Sequence, residues 1–238
     1  MSGDILQIFS EFLGTLILVL LGDGVVAAVS LKKSKAEASG WIVIALGWGA
    51  AVTIAVYISS FMGPAHLNPA VTVAMAIAGN LSWGLVLPFI VAQVVGGIVG
   101  ATLVWLSYMD HFKITDDKAT ILGIFSTGPA IKNPVSNIIT EAIGTIVLIL
   151  GLFAFAQYTV ADGMSPVLVG ILIVSIGLSL GGATGYAINP ARDLGPRIAH
   201  QLLPIANKGT SDWGYAWVPI VGPILGAVIA AGLFALIV

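Results

Sequence analysis

The hydrophobic positions of this chain fall in long blocks separated by short polar stretches. Six blocks are long enough to cross a bilayer as helices, which takes roughly 20 residues. They run near Ile5–Val29, Trp41–Ser60, Leu85–Trp105, Asn137–Gln157, Pro166–Gly182 and Ala216–Ile237. The fifth is short and rich in glycine. Glycines run through all six, as in membrane helices whose backbones approach closely. Gly96, Gly97 and Gly100, and Gly222 and Gly226, have the spacing of packing positions. The first block does not read as a removable signal peptide. It is longer than a signal core, no basic residue precedes it, and it contains Glu11.

Two apolar stretches remain, Pro64 to Ala78 and Gly185 to Ala199, each too short to cross. Each contains the same tripeptide, Asn68-Pro69-Ala70 and Asn189-Pro190-Ala191. The Asn can cap a helix, and the Pro suits the first helical position, where its missing N–H costs nothing. Ten residues from Pro69 to Ala78 make about 15 Å of helix. That is half of a hydrocarbon core about 30 Å thick. Pro190 to Ala199 predicts a second half-helix of the same length. A lone Asn-Pro-Ala reads as a surface turn before a helix. Two copies at matching places in two halves do not.

The halves also match where they begin, at Glu11-Phe12-Leu13-Gly14-Thr15 and Glu141-Ala142-Ile143-Gly144-Thr145. Three spans precede the second half, and an odd number inverts it. Inverted repeats whose broken helices meet at the midplane are a transport architecture. Non-helical backbone at that depth is tolerated only where it lines a water-filled path. The segments entering the half-helices are such backbone. Their carbonyls, at Pro64, Ala65 and His66 and at Gly185, Tyr186 and Ala187, predict a ladder of acceptors along one side of a pore. Each capping Asn uses its oxygen on its own helix, leaving its NH2 to face the lumen.

Composition agrees. Of 238 residues, 58% are hydrophobic and 8% charged, against about 25% charged in an average soluble domain. So few charges cannot cover a soluble surface. The net charge of −2 gives no hint of nucleic acid, and the chain has no cysteine for disulfide, thiolate or metal chemistry. Its three histidines, His66, His111 and His200, have no metal-site spacing. No cofactor is expected.

The paired motifs and the run Ala65-His66-Leu67-Asn68-Pro69-Ala70-Val71-Thr72 resemble the aquaporin superfamily over essentially the whole chain. Asn189 to Arg197, with Asp193 following Arg192, looks like the glycerol-conducting branch, as do Pro219-Ile220 and the long Tyr108–Ser136 loop. The resemblance implies an all-α membrane fold of six transmembrane helices and two re-entrant half-helices. It also implies one channel domain over 1–238, with inverted repeats at approximately 5–106 and 137–238, a homotetramer, and both termini cytoplasmic. Pro64 departs from the glycine frequent in the family, but a proline keeps its carbonyl.

Depth brings four residues to one level. Arg192 lies roughly 4.5 Å above the midplane. Trp48, seven residues after Trp41, lies about 5 Å above it. Gly177 sits slightly above the midplane, and Tyr186 lies on the chain descending to Asn189. Taken singly, Trp48 reads as packing or an interfacial anchor, and Arg192 as a snorkelling cation. The resemblance implies that Trp48, Gly177, Tyr186 and Arg192 form an aromatic–arginine selectivity filter of glycerol type, with Tyr where Phe is common. Trp48 and Tyr186 would face a carbon backbone, Arg192 would donate to hydroxyls, and Gly177 would leave room that a His fills.

Glu11 and Glu141 are expensive in lipid unless paired. As repeat partners they are expected to accept hydrogen bonds from the re-entrant loops and brace them. His66 reads as pore lining or as a core histidine. Asp193 and Arg197 read as structural or branch-specific rather than as direct ligands. Asp23, an intramembrane acid between Gly22 and Gly24, is expected to bond a loop rather than serve the pore. Two half-helix N-termini and Arg192 would oppose cations and protons.

Orientation divides the arguments. Lys32, Lys33, Lys35, Lys113, Lys118, Lys132 and Lys208 all fall in loops on one side. The positive-inside rule puts that side in the cytoplasm, and the family resemblance puts it outside. The expected function is passive passage of small uncharged polyols such as glycerol, with some water. The rivals are a water-selective aquaporin, a facilitator for dihydroxyacetone, urea or lactic acid, and an ion-coupled transporter. No nucleophile and base cluster supports an enzyme.

Overall fold

A computed structural model describes residues 3–237. All of its regular elements are helices. The long ones are α1 (Gly3–Ser30), α2 (Trp41–Ser59), α4 (Trp83–Ser107), α7 (Pro134–Phe155), α8 (Ser165–Ser179) and α10 (Val218–Ala235). Five are long and apolar enough to span a membrane, and α8, with 15 residues, is the shorter sixth. Their outer faces carry exposed large apolar side chains, among them Ile42, Leu87 and Ile171. The protein is a multi-pass membrane protein.

The half-helices are α3 (Pro69–Ile77) and α9 (Pro190–Leu202). Both have Pro at the first helical position and an Asn cap. Asn68 accepts from the Ala70 N–H, and Asn189 from those of Ala191 and Arg192. The expectation of equal length fails. α3 has 9 residues and α9 has 13. The carbonyls that end α9 have a donor, since Lys208 Nζ reaches the oxygens of His200, Gln201 and Leu203 at 2.8, 2.9 and 2.5 Å. A cation there also favours the helix dipole.

The loop from Tyr108 to Ser136 is not plain coil. It holds two short helices, α5 (Met109–Ile114) and α6 (Lys118–Phe125), with Phe112, Ile121, Ile124 and Phe125 fully buried. The lysine-bearing loops meet on one face, where Lys32 pairs with Asp116 at 2.9 Å and Lys132 with Asp212 at 3.4 Å.

The halves interlock. α1 packs along α4 and α7 along α10, and α2 against α8 joins the halves. Each half-helix lies against the last long helix of the opposite half, α3 on α10 and α9 on α4. Close approach depends on glycine at equivalent places. A Cβ on Gly96 would run into the Phe12 carbonyl of α1, and one on Gly226 into the Ala142 carbonyl of α7. Backbone cannot yield as a side-chain tip can, and overpacking of this kind costs about 1–3 kcal/mol. Gly96→Ala and Gly226→Ala are therefore each expected to lower the thermal midpoint in detergent. Thermal unfolding followed by size-exclusion chromatography measures this. Midpoints equal to the parent's would remove these contacts from the account of stability.

Candidate functional site

The two segments entering the half-helices share one backbone design. Ala65 and Leu67 have φ of 51° and 52°, and Tyr186 and Ile188 have 38° and 42°. These are the same positions counted back from each Asn. Non-glycine residues in the left-handed region cost about 1–2 kcal/mol each. The pattern turns consecutive N–H groups toward the protein, where a carboxylate receives them. Glu11 accepts from the N–H of His66 and of Leu67, both at 2.7 Å, and from Gln93 Nε2 at 2.7 Å. Glu141 accepts from the N–H of Ala187 and Ile188 at 3.0 and 2.8 Å, and from Thr184 Oγ1 at 2.6 Å. Both acids are fully buried.

The two loops also hold each other. Asn68 Nδ2 donates to the Ile188 carbonyl at 2.8 Å, and Asn189 Nδ2 to the Leu67 carbonyl at 2.7 Å. This corrects the expectation that each NH2 faces the lumen whole. One hydrogen is spent across the midplane, and one remains. Both Asn residues line the cavity below.

That cavity has a volume of about 190 Å³. Its lining includes the apolar side chains of Leu18, Val52, Val56, Leu148, Leu152 and Ile173. Residues 64–68 and 186–189 of the two entering segments also line it. Pro64, Ala65, His66, Tyr186 and Ala187 are among these. Gly185 is not; it packs against Thr127 instead. His66 is both things it was read as, lining the cavity while contacting Thr72 Oγ1 at 3.3 Å and Phe89 edge-on.

Trp48, Tyr186 and Arg192 also line the cavity. The Arg192 guanidinium lies 4.0 Å over the Trp48 ring, a cation–π contact. Its Nη1 is 3.5 Å from both the Phe125 carbonyl and Asp23 Oδ1. The Tyr186 ring fills the space beside Gly177, where a Cβ would come within 2.8 Å of it. Gly177 is thus not an open corner of the lumen and does not line the cavity, because tyrosine already occupies that room. Trp41 seals the back, edge-on to Tyr186 and donating to the Gly177 carbonyl at 2.9 Å. The Tyr186 hydroxyl is buried with no protein partner.

Asp23 was expected to bond a loop. Its partner is Arg192 itself. Asp193 and Arg197 are structural, as read. Asp193 accepts from the Thr127 N–H and hydroxyl, both at 2.7 Å, and from Arg197 Nε at 2.8 Å. Arg197 in turn donates to the Ser211 and Thr127 carbonyls. Sequence reading missed Gln93, which ties Glu11 to Thr72 at 2.9 Å. A lone amide in the middle of an apolar span was the available signal. It also missed Thr184, one hydroxyl among many loop residues.

An all-helical membrane fold with two half-helices meeting beside a part-apolar passage defines a channel rather than an enzyme. The chain belongs to the major intrinsic protein family, whose pattern matches residues 3–234. It is 61% identical over 229 residues to glycerol uptake facilitator protein 3 of Lactiplantibacillus plantarum, covering 96% of this chain and 95% of that one. It is 57% identical over 230 residues to the glycerol uptake facilitator protein of Streptococcus pneumoniae, covering 97% and 98%. Its fold is similar to the crystal structure of the aquaglyceroporin from Plasmodium falciparum, with a TM-score of 0.83 and 28% identity over 97% of this chain and 95% of that one.

A hydrogen bond to a charged group contributes about 1.5–3 kcal/mol. Glu11→Gln and Glu141→Gln each weaken three such bonds and place an NH2 against backbone N–H groups. Both are expected to cut the yield of folded protein and lower its thermal midpoint while leaving the relative permeability of solutes unchanged. Stability in detergent and permeability in liposomes are the readouts. Normal stability with altered solute preference would reverse the assignment.

Proposed function

We propose that this chain is a passive channel for glycerol and similarly small uncharged polyols, passing some water and excluding ions and protons. The carrying observation is a cavity lined both by apolar side chains and by the two entering segments with their Asn residues. Apolar side chains suit the CH side of a polyol, and backbone carbonyls and Asn amides suit its hydroxyls. Trp48, Gly177, Tyr186 and Arg192 form the selectivity filter in this reading. Gly177 serves indirectly, by seating the Tyr186 ring. A solute shedding water replaces lost hydrogen bonds at Arg192 and at the loop carbonyls, each worth roughly 1–3 kcal/mol if left unmade. The names of the similar facilitators point to the same solute class.

In the same reading Glu11 and Glu141 brace the pore loops. Positive half-helix ends oppose cations at the midplane, and a narrow passage opposes anions by dehydration. The chain is one channel domain with repeats at approximately 5–106 and 137–238. It works as a homotetramer in the cell membrane with both termini cytoplasmic, which puts the lysine-bearing loops outside.

Flux is expected to be close to linear in the solute gradient and insensitive to uncouplers. Accumulation against a gradient would replace the channel by a transporter. In liposomes, Tyr186→Phe is expected to shift the ratio of glycerol to water permeability. Gly177→His is expected to suppress glycerol flux and spare water, because the imidazole forces the Tyr186 ring into the lumen. Unchanged ratios in both variants would take Gly177 and Tyr186 out of the filter.

Orientation has its own test. The chain has no cysteine, so Lys113→Cys introduces a single thiol on α5. It is expected to react with a membrane-impermeant maleimide in intact cells. Reaction only after lysis would turn the protein over.

A further inference from the structure

Two arginines and two carboxylates, Arg192, Arg197, Asp23 and Asp193, lie buried, and Arg192 lines the cavity. Arg197 is matched by Asp193 through Nε at 2.8 Å and Nη2 at 3.0 Å. Arg192 is matched by Asp23, on the neighbouring α1, at 3.5 Å. The formal charge of the four is zero, and without Asp23 it would be +1. Asp23 is fully buried. A carboxylate serving a loop would meet backbone N–H groups, as Glu11 and Glu141 do. Asp23 meets none, and Arg192 is its one hydrogen-bond partner among the described residues. Its second oxygen has no protein partner, so nothing but the arginine accounts for an acid at this depth.

The guanidinium is held from three directions. Asp23 draws Nη1 toward α1, the Phe125 carbonyl receives the same nitrogen, and the Trp48 ring supports its face. Trp48 is fixed in turn by α1, since a Cβ on Gly22, the residue before Asp23, would collide with the indole. One turn of α1 therefore seats both the aromatic and the counter-charge of the arginine.

We propose that Asp23 is a positioning residue for solute selection. It holds the Arg192 guanidinium flat on Trp48, off the pore axis, and cancels its charge, so that the constriction is electrically neutral. Ion exclusion then falls to the midplane, where the half-helix N-termini meet, and the outer constriction sorts solutes by shape and hydrogen bonding. Without Asp23, an uncompensated guanidinium extends into the lumen with its hydration shell. That narrows the passage more for glycerol than for water.

This proposal rests on Arg192 being part of the filter, and the test separates the two claims. Asp23→Asn, Arg192→Val and the double variant are reconstituted in liposomes at equal protein content. Stopped-flow measurement gives their glycerol and water permeabilities. Asp23→Asn is expected to lower the glycerol-to-water ratio by roughly three- to tenfold. In the Arg192→Val background the same change is expected to leave the ratio within about twofold, because Asp23 acts only through the arginine. An altered ratio in Arg192→Val with a parental ratio in Asp23→Asn would overturn the proposal and keep the filter. So would an Asp23→Asn effect that persists undiminished in the double variant. A parental ratio in Arg192→Val would overturn the filter itself, and this proposal with it. If Asp23→Asn alone does not reconstitute, recovery in the double variant supports the pairing. Failure of the double variant where Arg192→Val succeeds would overturn it.

Discussion

Everything in this protein depends on keeping irregular backbone at the middle of a membrane. Lipid offers no hydrogen bonds, so a non-helical segment there must find every partner inside the protein or in the passage it lines. The two entering segments divide their polar groups accordingly. N–H groups turn inward to Glu11 and Glu141, and the last carbonyl of each segment meets the opposite Asn. The φ values that permit this cost free energy at Ala65, Leu67, Tyr186 and Ile188. Charge-assisted bonds at 2.6–3.0 Å offset that cost. The acids are likewise tolerable in lipid only because each receives three donors. Loop and carboxylate are each unstable alone and stable together.

From this follows the tight mesh around the midplane. A loop held from behind by a carboxylate has a fixed register, so its last carbonyl can meet the Asn of the other half. The helices behind must come close enough for Glu11 and Glu141 to reach, and glycine at Gly96 and Gly226 permits that approach. Close packing of α1 on α4 and α7 on α10 is therefore a condition of the pore as much as of the fold.

Much of this was legible in the chain because it was written twice. The paired Asn-Pro-Ala motifs, the paired glutamates and the block lengths located the spans, the half-helices and the meeting point. What stayed hidden was written once, or depended on side-chain direction. The extra turn of α9 rests on Lys208, a residue beyond its end. α5 and α6 fill a segment with no counterpart in the first half. Gly177 was readable as a place without a side chain, but a sequence does not say which neighbour takes the space. Asp23 was noticed as out of place. Its partner lies 169 residues away on a half-helix, and no spacing rule spans that distance.

The division between what recurs and what does not carries a further consequence. Positions that build the loops match across the halves: Glu11 with Glu141, Leu67 with Ile188, Asn68 with Asn189. Positions proposed for the filter do not. Counting from each Asn, Tyr186 stands where the first half has Ala65, and Arg192 where it has Val71. Asp193 stands where it has Thr72, and each anchors its own neighbours, Thr127 and Arg197 in one case and Gln93 and His66 in the other. A pseudo-symmetric scaffold can thus carry a one-sided constriction. On the first half's side these positions hold alanine and valine; on the other they hold a tyrosine seated beside Gly177 and an arginine stacked on Trp48. Because the loop backbone is held by the repeated carboxylates, the residues at these unmatched positions are free to differ without disturbing it. In the proposed reading, solute preference can therefore change through Asp23, Trp48, Gly177, Tyr186 and Arg192 while the frame built by the repeated carboxylates stays the same.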